Sequence, residues 1–175
     1  MLLALDVGNT HVVVGLMEGR EVRRSFRIAT RRDNAVGALD LYQPPLLLVD
    51  MGTATTVTVL DEQGAFRGGA ILPGANLALS SLAGGTALLP DIPLAVPDRA
   101  IGDDTLTCMQ SGCVLGSALL LDGLIDRMEA ELGRKATVVA TGGIAPVIAP
   151  ACRHEMHMAA DLILRGLAVL YEQNK

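Results

Sequence analysis

Aromatic residues are almost missing from this chain: two Tyr, two Phe and no Trp among 175 residues. A core must then be assembled from Leu, Val, Ile, Ala and Met, with backbones drawn close around 19 glycines. Half of the residues are nevertheless apolar, which suits an α/β protein with buried strands and small-residue turns. Basic charge is short as well. The balance of 14 Lys and Arg against 19 Asp and Glu gives a net charge of −5, which excludes nucleic acid as a default partner. Cysteine is scarce and odd in number, at Cys108, Cys113 and Cys152, with no C-x-x-C pair. Reduced, buried thiols in a cytoplasmic protein are the expectation. Despite a mean hydropathy of +0.41, Asp50 and Asp122 interrupt the richest apolar runs. No span of the roughly 20 residues a membrane helix needs is predicted. Asp6 lies inside the first apolar stretch and no basic residue precedes it, so no signal peptide is expected.

What is present is a unit written twice. LLALDVGNTHVVVGLMEGREV (residues 2–22) and LLLVDMGTATTVTVLDEQGAF (residues 46–66) share one order. Each has an apolar strand, an Asp-x-Gly turn with a Thr just after it (Thr10, Thr53), a β-branched strand, a Gly hairpin turn and a third strand. Between the copies, residues 29–45 carry a helical pattern ended by Pro44-Pro45. Downstream, a helix is predicted from Pro73-Gly74 to about Thr86, and an extended piece over residues 90–97. A longer helical region capped by Asp103 or Asp104 runs to Leu132, broken around Ser111-Gly112. A strand over 136–140 enters the turn Thr141-Gly142-Gly143, a short helix follows, and an amphipathic helix over 161–172 closes the chain. Strands alternating with helices predict a mixed sheet with helices on its faces.

The chemistry sits in the turns. An Asp ending a strand, followed by Gly and a hydroxyl residue, suits nucleotide phosphates. Glycine lets backbone N–H groups approach phosphate oxygens, the hydroxyl adds a donor, and the carboxylate can hold a neutralising cation. One such turn is ordinary hairpin punctuation; two, with Asp6 and Asp50 at equivalent places, point to a phosphate grip. Thr141-Gly142-Gly143 offers a flat backbone surface on which an adenosine could lie. Gly68 to Gly74 could line a cleft or simply turn the chain into its helix. Thr105 and Ser111 could face a substrate or cap helix segments. His154 and His157 are three apart without companion ligands and are read as exposed or capping residues. The Arg run from Arg20 to Arg32 is read as a solvated strand face, with an anion-steering rim as the alternative.

Together these segments closely resemble the type III pantothenate kinases, also described as Bvg accessory factor-like proteins. The resemblance rests on DVGNT (Asp6–Thr10), DMGTATT (Asp50–Thr56) and GGAILPG (Gly68–Gly74). Further matches are IGDDT with MQSG (Ile101–Gly112), ATGG (Ala140–Gly143) and GLAVLYEQN (Gly166–Asn174). It implies an α/β protein of two ribonuclease H-like lobes of the actin, sugar-kinase and heat-shock-chaperone superfamily, here residues 1–33 and 34–175. It implies ATP-dependent phosphorylation of pantothenate, with magnesium and a monovalent cation, potassium or ammonium, in a cytoplasmic homodimer. By the same resemblance Asp6, Val7, Gly8, Asn9, Thr10, His11, Val12, Val13, Thr53, Gly142 and Gly143 would meet ATP. Asp50 would hold the monovalent cation, Asp6 the magnesium through water, and Thr105 with Arg31 the pantothenate.

One departure is plain. Family members carry a long segment between the third strand and the helix that begins here at Asn34, on the order of two βα units or about 60 residues. With it goes the G-x-D-R turn that supplies the general base. Counting back from Asn34, Thr30 stands where that Asp belongs and Arg31 where the Arg belongs. Asp33 is the nearest carboxylate, out of register. The first lobe is therefore expected to be cut to a three-stranded meander.

Overall fold

The computed structural model describes residues 2–7, 11–29 and 32–173. It divides into two compact units, residues 1–41 with 161–175, and residues 42–160. The helix over residues 32–41 packs on the C-terminal helix, and both fall in the first unit.

In the first unit β1 (Leu2–Val7), β2 (His11–Glu18) and β3 (Glu21–Ala29) form an antiparallel meander, with a bulge in the β2–β3 pairing at Leu16/Met17. Gly19, at φ 64°, makes the left-handed hairpin turn. The helices α1 (Arg32–Leu41) and α6 (Leu162–Gln173) pack together. Gly37 sets their approach, because a Cβ there would overlap the Leu162 carbonyl. Asp40 and Arg165 pair across the two helices at 3.1 Å.

The second unit repeats the meander as β4 (Leu46–Met51), β5 (Ala54–Leu60) and β6 (Phe66–Pro73), again with a bulge, at Val59/Leu60. Here the sheet grows. β7 (Thr137–Thr141) and the two-residue β8 (His157–Met158) add in parallel, giving the order β6-β5-β4-β7-β8. The fold is α/β with a mixed sheet, as predicted. β4 is buried on both faces, which is why its sequence reads as a continuous apolar run.

α2 (Ala75–Gly85) follows β6, and an extended segment leads to α3 (Thr105–Gln110). The predicted break at Ser111-Gly112 is instead a π-helical turn, Ser111–Leu115, that runs straight into α4 (Gly116–Leu132). Val114, Ala118, Leu121 and Ile125 from this continuous helix pack on Leu47, Val49, Val57, Val59 and Val138 of the sheet. α5 (Ala145–Ile148) adds Ala145 and Ile148 to the same core.

Two expectations need correction. Residues 105–132 form one helix long and apolar enough to cross a membrane by length and composition. Its apolar side forms the unit's core instead, and Asp122 does not interrupt it because that carboxylate is buried and bonded. Burial of the thiols holds only for Cys113. Cys152 is half-buried and Cys108 is exposed.

Candidate functional site

Register places two of the predicted turns side by side. β4 and β7 run parallel, with Asp50 opposite Thr141, so Met51-Gly52-Thr53 and Gly142-Gly143 leave the sheet together. Ligands of open α/β sheets bind outside such carboxyl ends. Backbone hydrogen bonds lock the turns: Ile144 N–H donates to the Met51 carbonyl at 3.1 Å, and Gly74 N–H to the Thr53 carbonyl at 3.0 Å. Gly142 is required twice over. Its φ is 96°, and a Cβ would collide with the Met51 backbone. Gly74 is required once, because a Cβ would strike the Gly52 and Thr53 carbonyls. Gly143 differs: its φ is not positive, and a Cβ there would meet open space. Nothing in the fold asks for glycine at that exposed position.

Asp50 is half-buried at the end of β4, Thr53 is exposed in the turn, and the uncapped N-terminus of α2 starts directly after Gly74. A hard-oxygen donor beside an exposed hydroxyl and backbone amides fits a cation held next to an anion. The chain's other turn is less visible. Asp6 and Val7 end β1 and His11, Val12 and Val13 open β2, whereas Gly8, Asn9, Thr10 and Arg31 lie outside the described residues. Asp33 falls in the first turn of α1.

Thr105 is the first residue of α3 and exposed. It lines an open groove of about 670 Å³ with Leu82, Leu89, Asp103, Asp104 and Cys108. The cap of that helix is Asp104, not Thr105. Its carboxylate accepts from the Thr107 N–H and hydroxyl, each at 2.7 Å, and these bonds, the backbone one first, hold its pKa below the usual carboxylate value. Ser111 donates to the Ala100 carbonyl at 2.6 Å and so ties down the preceding segment. In the Gly68–Gly74 stretch, Gly69 lets β6 approach Val57 of β5, and Gly74 packs on the turn. In the Arg run, Arg23 pairs with Glu18 and Glu21 at the surface, in line with a solvated face.

Three carboxylates without sequence signal organise the back of the unit. Buried Asp122 accepts the N–H groups of Arg153 and His154 at 2.8 and 3.0 Å. Buried Glu129 takes the Lys135 ammonium and the Ala136 N–H at 2.7 and 3.0 Å, aligning the entry to β7 and raising the Lys135 pKa. Asp126 pairs with Arg153 and with His154 Nε2 at 2.9 Å. Asp126, Glu129 and His154 lie close enough to hold an ion, but Arg153 and Lys135 already neutralise both carboxylates. Burial, and then Asp122, push the Cys152 thiol up to about 12.

A family model described as type III pantothenate kinase matches residues 31–127. The type III pantothenate kinase of Thermomicrobium roseum is 33% identical over 252 aligned positions, covering 99% of this chain and 97% of that protein. Since this chain has 175 residues, stretches of that relative have no counterpart here. The type III pantothenate kinases of Maricaulis maris and Rhodospirillum rubrum are both 43% identical, covering 83% and 84% of this chain. Those alignments cover only 56% and 57% of the relatives' own length. Among solved structures, a conserved protein described as a Baf family transcriptional activator from Campylobacter jejuni is similar at TM-score 0.61 and 16% identity, covering 99% of this chain and 98% of that one. An Alp12 filament is similar at TM-score 0.57 and 9% identity, covering 95% and 60%. At those identities the likeness is one of fold.

Proposed function

Because this chain belongs to the type III pantothenate kinase family, we propose that it binds ATP and transfers the γ-phosphoryl group to pantothenate. The product, 4'-phosphopantothenate, opens coenzyme A synthesis. The observation that carries the nucleotide half is the contrast between Gly142, which the fold requires, and Gly143, which it does not. A bare glycine beside the second phosphate turn leaves the adenosine room to lie flat.

In this reading the chain is two ribonuclease H-like lobes of the actin and sugar-kinase type, residues 1–33 and 34–175. Asp6 to Val13 and Thr53 meet ATP, and Asp6 holds magnesium through water. Asp50 holds potassium or ammonium, whose single charge suits one carboxylate. The cations would neutralise the charge that develops as the pantothenate hydroxyl oxygen bonds to the γ-phosphorus and the bond to the β-phosphate oxygen breaks. The hydroxyl proton needs an acceptor. Thr105 and Arg31 would hold the acceptor substrate. The assembly would be a cytoplasmic homodimer, with exposed Leu88, Ile101 and Leu119 as the apolar surface a second subunit covers.

A second reading has its own observation. The alignment of 252 positions against 175 residues leaves a segment missing. If that segment is the one with the family's general base, the chain is a non-catalytic ATP-binding or regulatory relative that self-associates. Calorimetry with ATP and magnesium, with and without potassium, tests the shared nucleotide site, and no heat of binding in either salt would sink both readings. A coupled ADP-release assay with pantothenate then separates them. Turnover above an Asp6→Ala control supports the kinase; ATP binding without turnover supports the relative.

A further inference from the structure

In the second unit, residues Cys152 to Met156 and Met158 border an open concavity of about 650 Å³ with Pro146, Ala149 and Pro150. Four of the residues that line it carry soft or borderline ligand atoms: Cys152, His154, Met156 and Met158. We propose that His154, Met156 and Met158 form a site for a soft monovalent cation, Cu(I) or Ag(I), bound by one imidazole nitrogen and two thioether sulfurs.

Three features of the molecule support this. First, His154 is built as ligating histidines are. Its Nε2 lies 2.9 Å from an Asp126 oxygen, and an ionised carboxylate only accepts, so in the neutral ring the proton sits on Nε2 and Nδ1 keeps its lone pair for a ligand. Arg153 fixes Asp126 in turn, and the buried Asp122 carboxylate pins the His154 backbone. Second, the backbone that carries the two methionines is held. Met158 pairs with Ala140 in the parallel β8, and Met156 packs against the core below the sheet. Met158 itself is half exposed, so an ion can reach it. Third, the donor set selects the ion. Thioethers favour soft cations, whereas Zn(II) wants thiolate and magnesium wants oxygen. The Cys152 thiol is engaged with the carbonyls of Ile148 and Ala118 at 3.5 and 3.8 Å, so it backs the site without joining it.

The test uses the full chain carrying Cys108→Ser, which removes the exposed competing thiol. Under anaerobic conditions Cu(I) is offered from its bicinchoninate complex. One Cu(I) per chain should transfer, and the double variant Met156→Leu/Met158→Leu, which conserves volume, should abolish the transfer. Asp126→Asn, which leaves all three donor residues in place and loosens the hold on His154, should weaken it by about 10-fold. A second readout uses the same Cys108→Ser chain. In a titration with silver nitrate, the ε-methyl signals of two of the seven methionines should shift and saturate at one equivalent. No transfer to the Cys108→Ser chain, equal transfer to the double variant, or methyl shifts spread over all methionines would each overturn the assignment.

Discussion

The same strand-turn-strand unit stands at residues 2–29 and at residues 46–73, and the two copies have different fates. Each is an antiparallel meander with an Asp-x-Gly sequence where its first strand gives way to its second, and each bulges in its second pairing. The second copy is extended by β7 and β8 and covered by a helix of 28 residues. Among the described residues the first is a three-stranded sheet whose unit adds α1 and α6. What the second copy gains is a parallel neighbour, and with it the glycine turn that hydrogen-bonds to its own. The difference teaches that the turn proposed to hold phosphate comes with the meander, whereas the turn proposed to carry the adenosine comes from the strand added beside it.

The harshest way to break the second copy is Gly142→Ala. Left-handed backbone and a clash with Met51 act together, and about 3 kcal/mol or more of unfolding stability should be lost. Urea denaturation measures it. Gly143→Ala is the matched control: stability should change by less than about 0.5 kcal/mol, while ATP affinity in calorimetry drops. Equal loss of stability at both positions would remove the argument for an adenosine platform.

Asp122→Ala should come close behind. It strips the acceptor from two backbone N–H groups and leaves them unsatisfied, at a cost of about 3 kcal/mol, again read by denaturation. This change touches only the second copy's back wall, so ATP binding at low temperature should persist in whatever fraction remains folded.

The two aspartates sharpen the comparison directly. In the proposed roles, Asp50→Asn should erase the potassium dependence of ATP binding, and Asp6→Asn its magnesium dependence. Calorimetry in paired salts distinguishes them. If both variants lose the same dependence, the copies are not specialised as proposed.

Much of this organisation was legible. The repeat, the order of the strands, the mixed sheet and the glycine turns follow from β-branched periodicity and turn chemistry, which act over a few residues. Other features are long-range and leave no local mark. Asp122 looks like an interruption of an apolar run because its partners, the amides of Arg153 and His154, are some 30 residues away. β8 is too short for any alternation to show. The π-helical turn at Ser111 differs from an α-helix only in which carbonyl each amide reaches. The adjacency of Asp50 and Thr141 depends on a parallel pairing that only the assembled sheet creates.

The smallest effect belongs to Asp104, which caps α3 beside the groove that carries Thr105. Its pKa is lowered in the folded state by the Thr107 amide and then the Thr107 hydroxyl. A depressed carboxylate pKa means that the unfolded chain binds the proton more readily. The cap's contribution is therefore present above the unfolded-state pKa near 3.9 and is lost as pH falls through the lower folded value. Thermal melts from pH 6 down to pH 2 should show the Asp104→Asn chain losing less stability than the parent at the acid end. Asparagine can still accept from Thr107, so at pH 6 the two should nearly coincide. Because the carboxylate is at the surface, added salt should narrow the gap between them. If the gap is indifferent to salt and already full at pH 6, the cap acts through shape rather than charge, and the Asp104–Thr107 pair has no electrostatic part in ordering the groove.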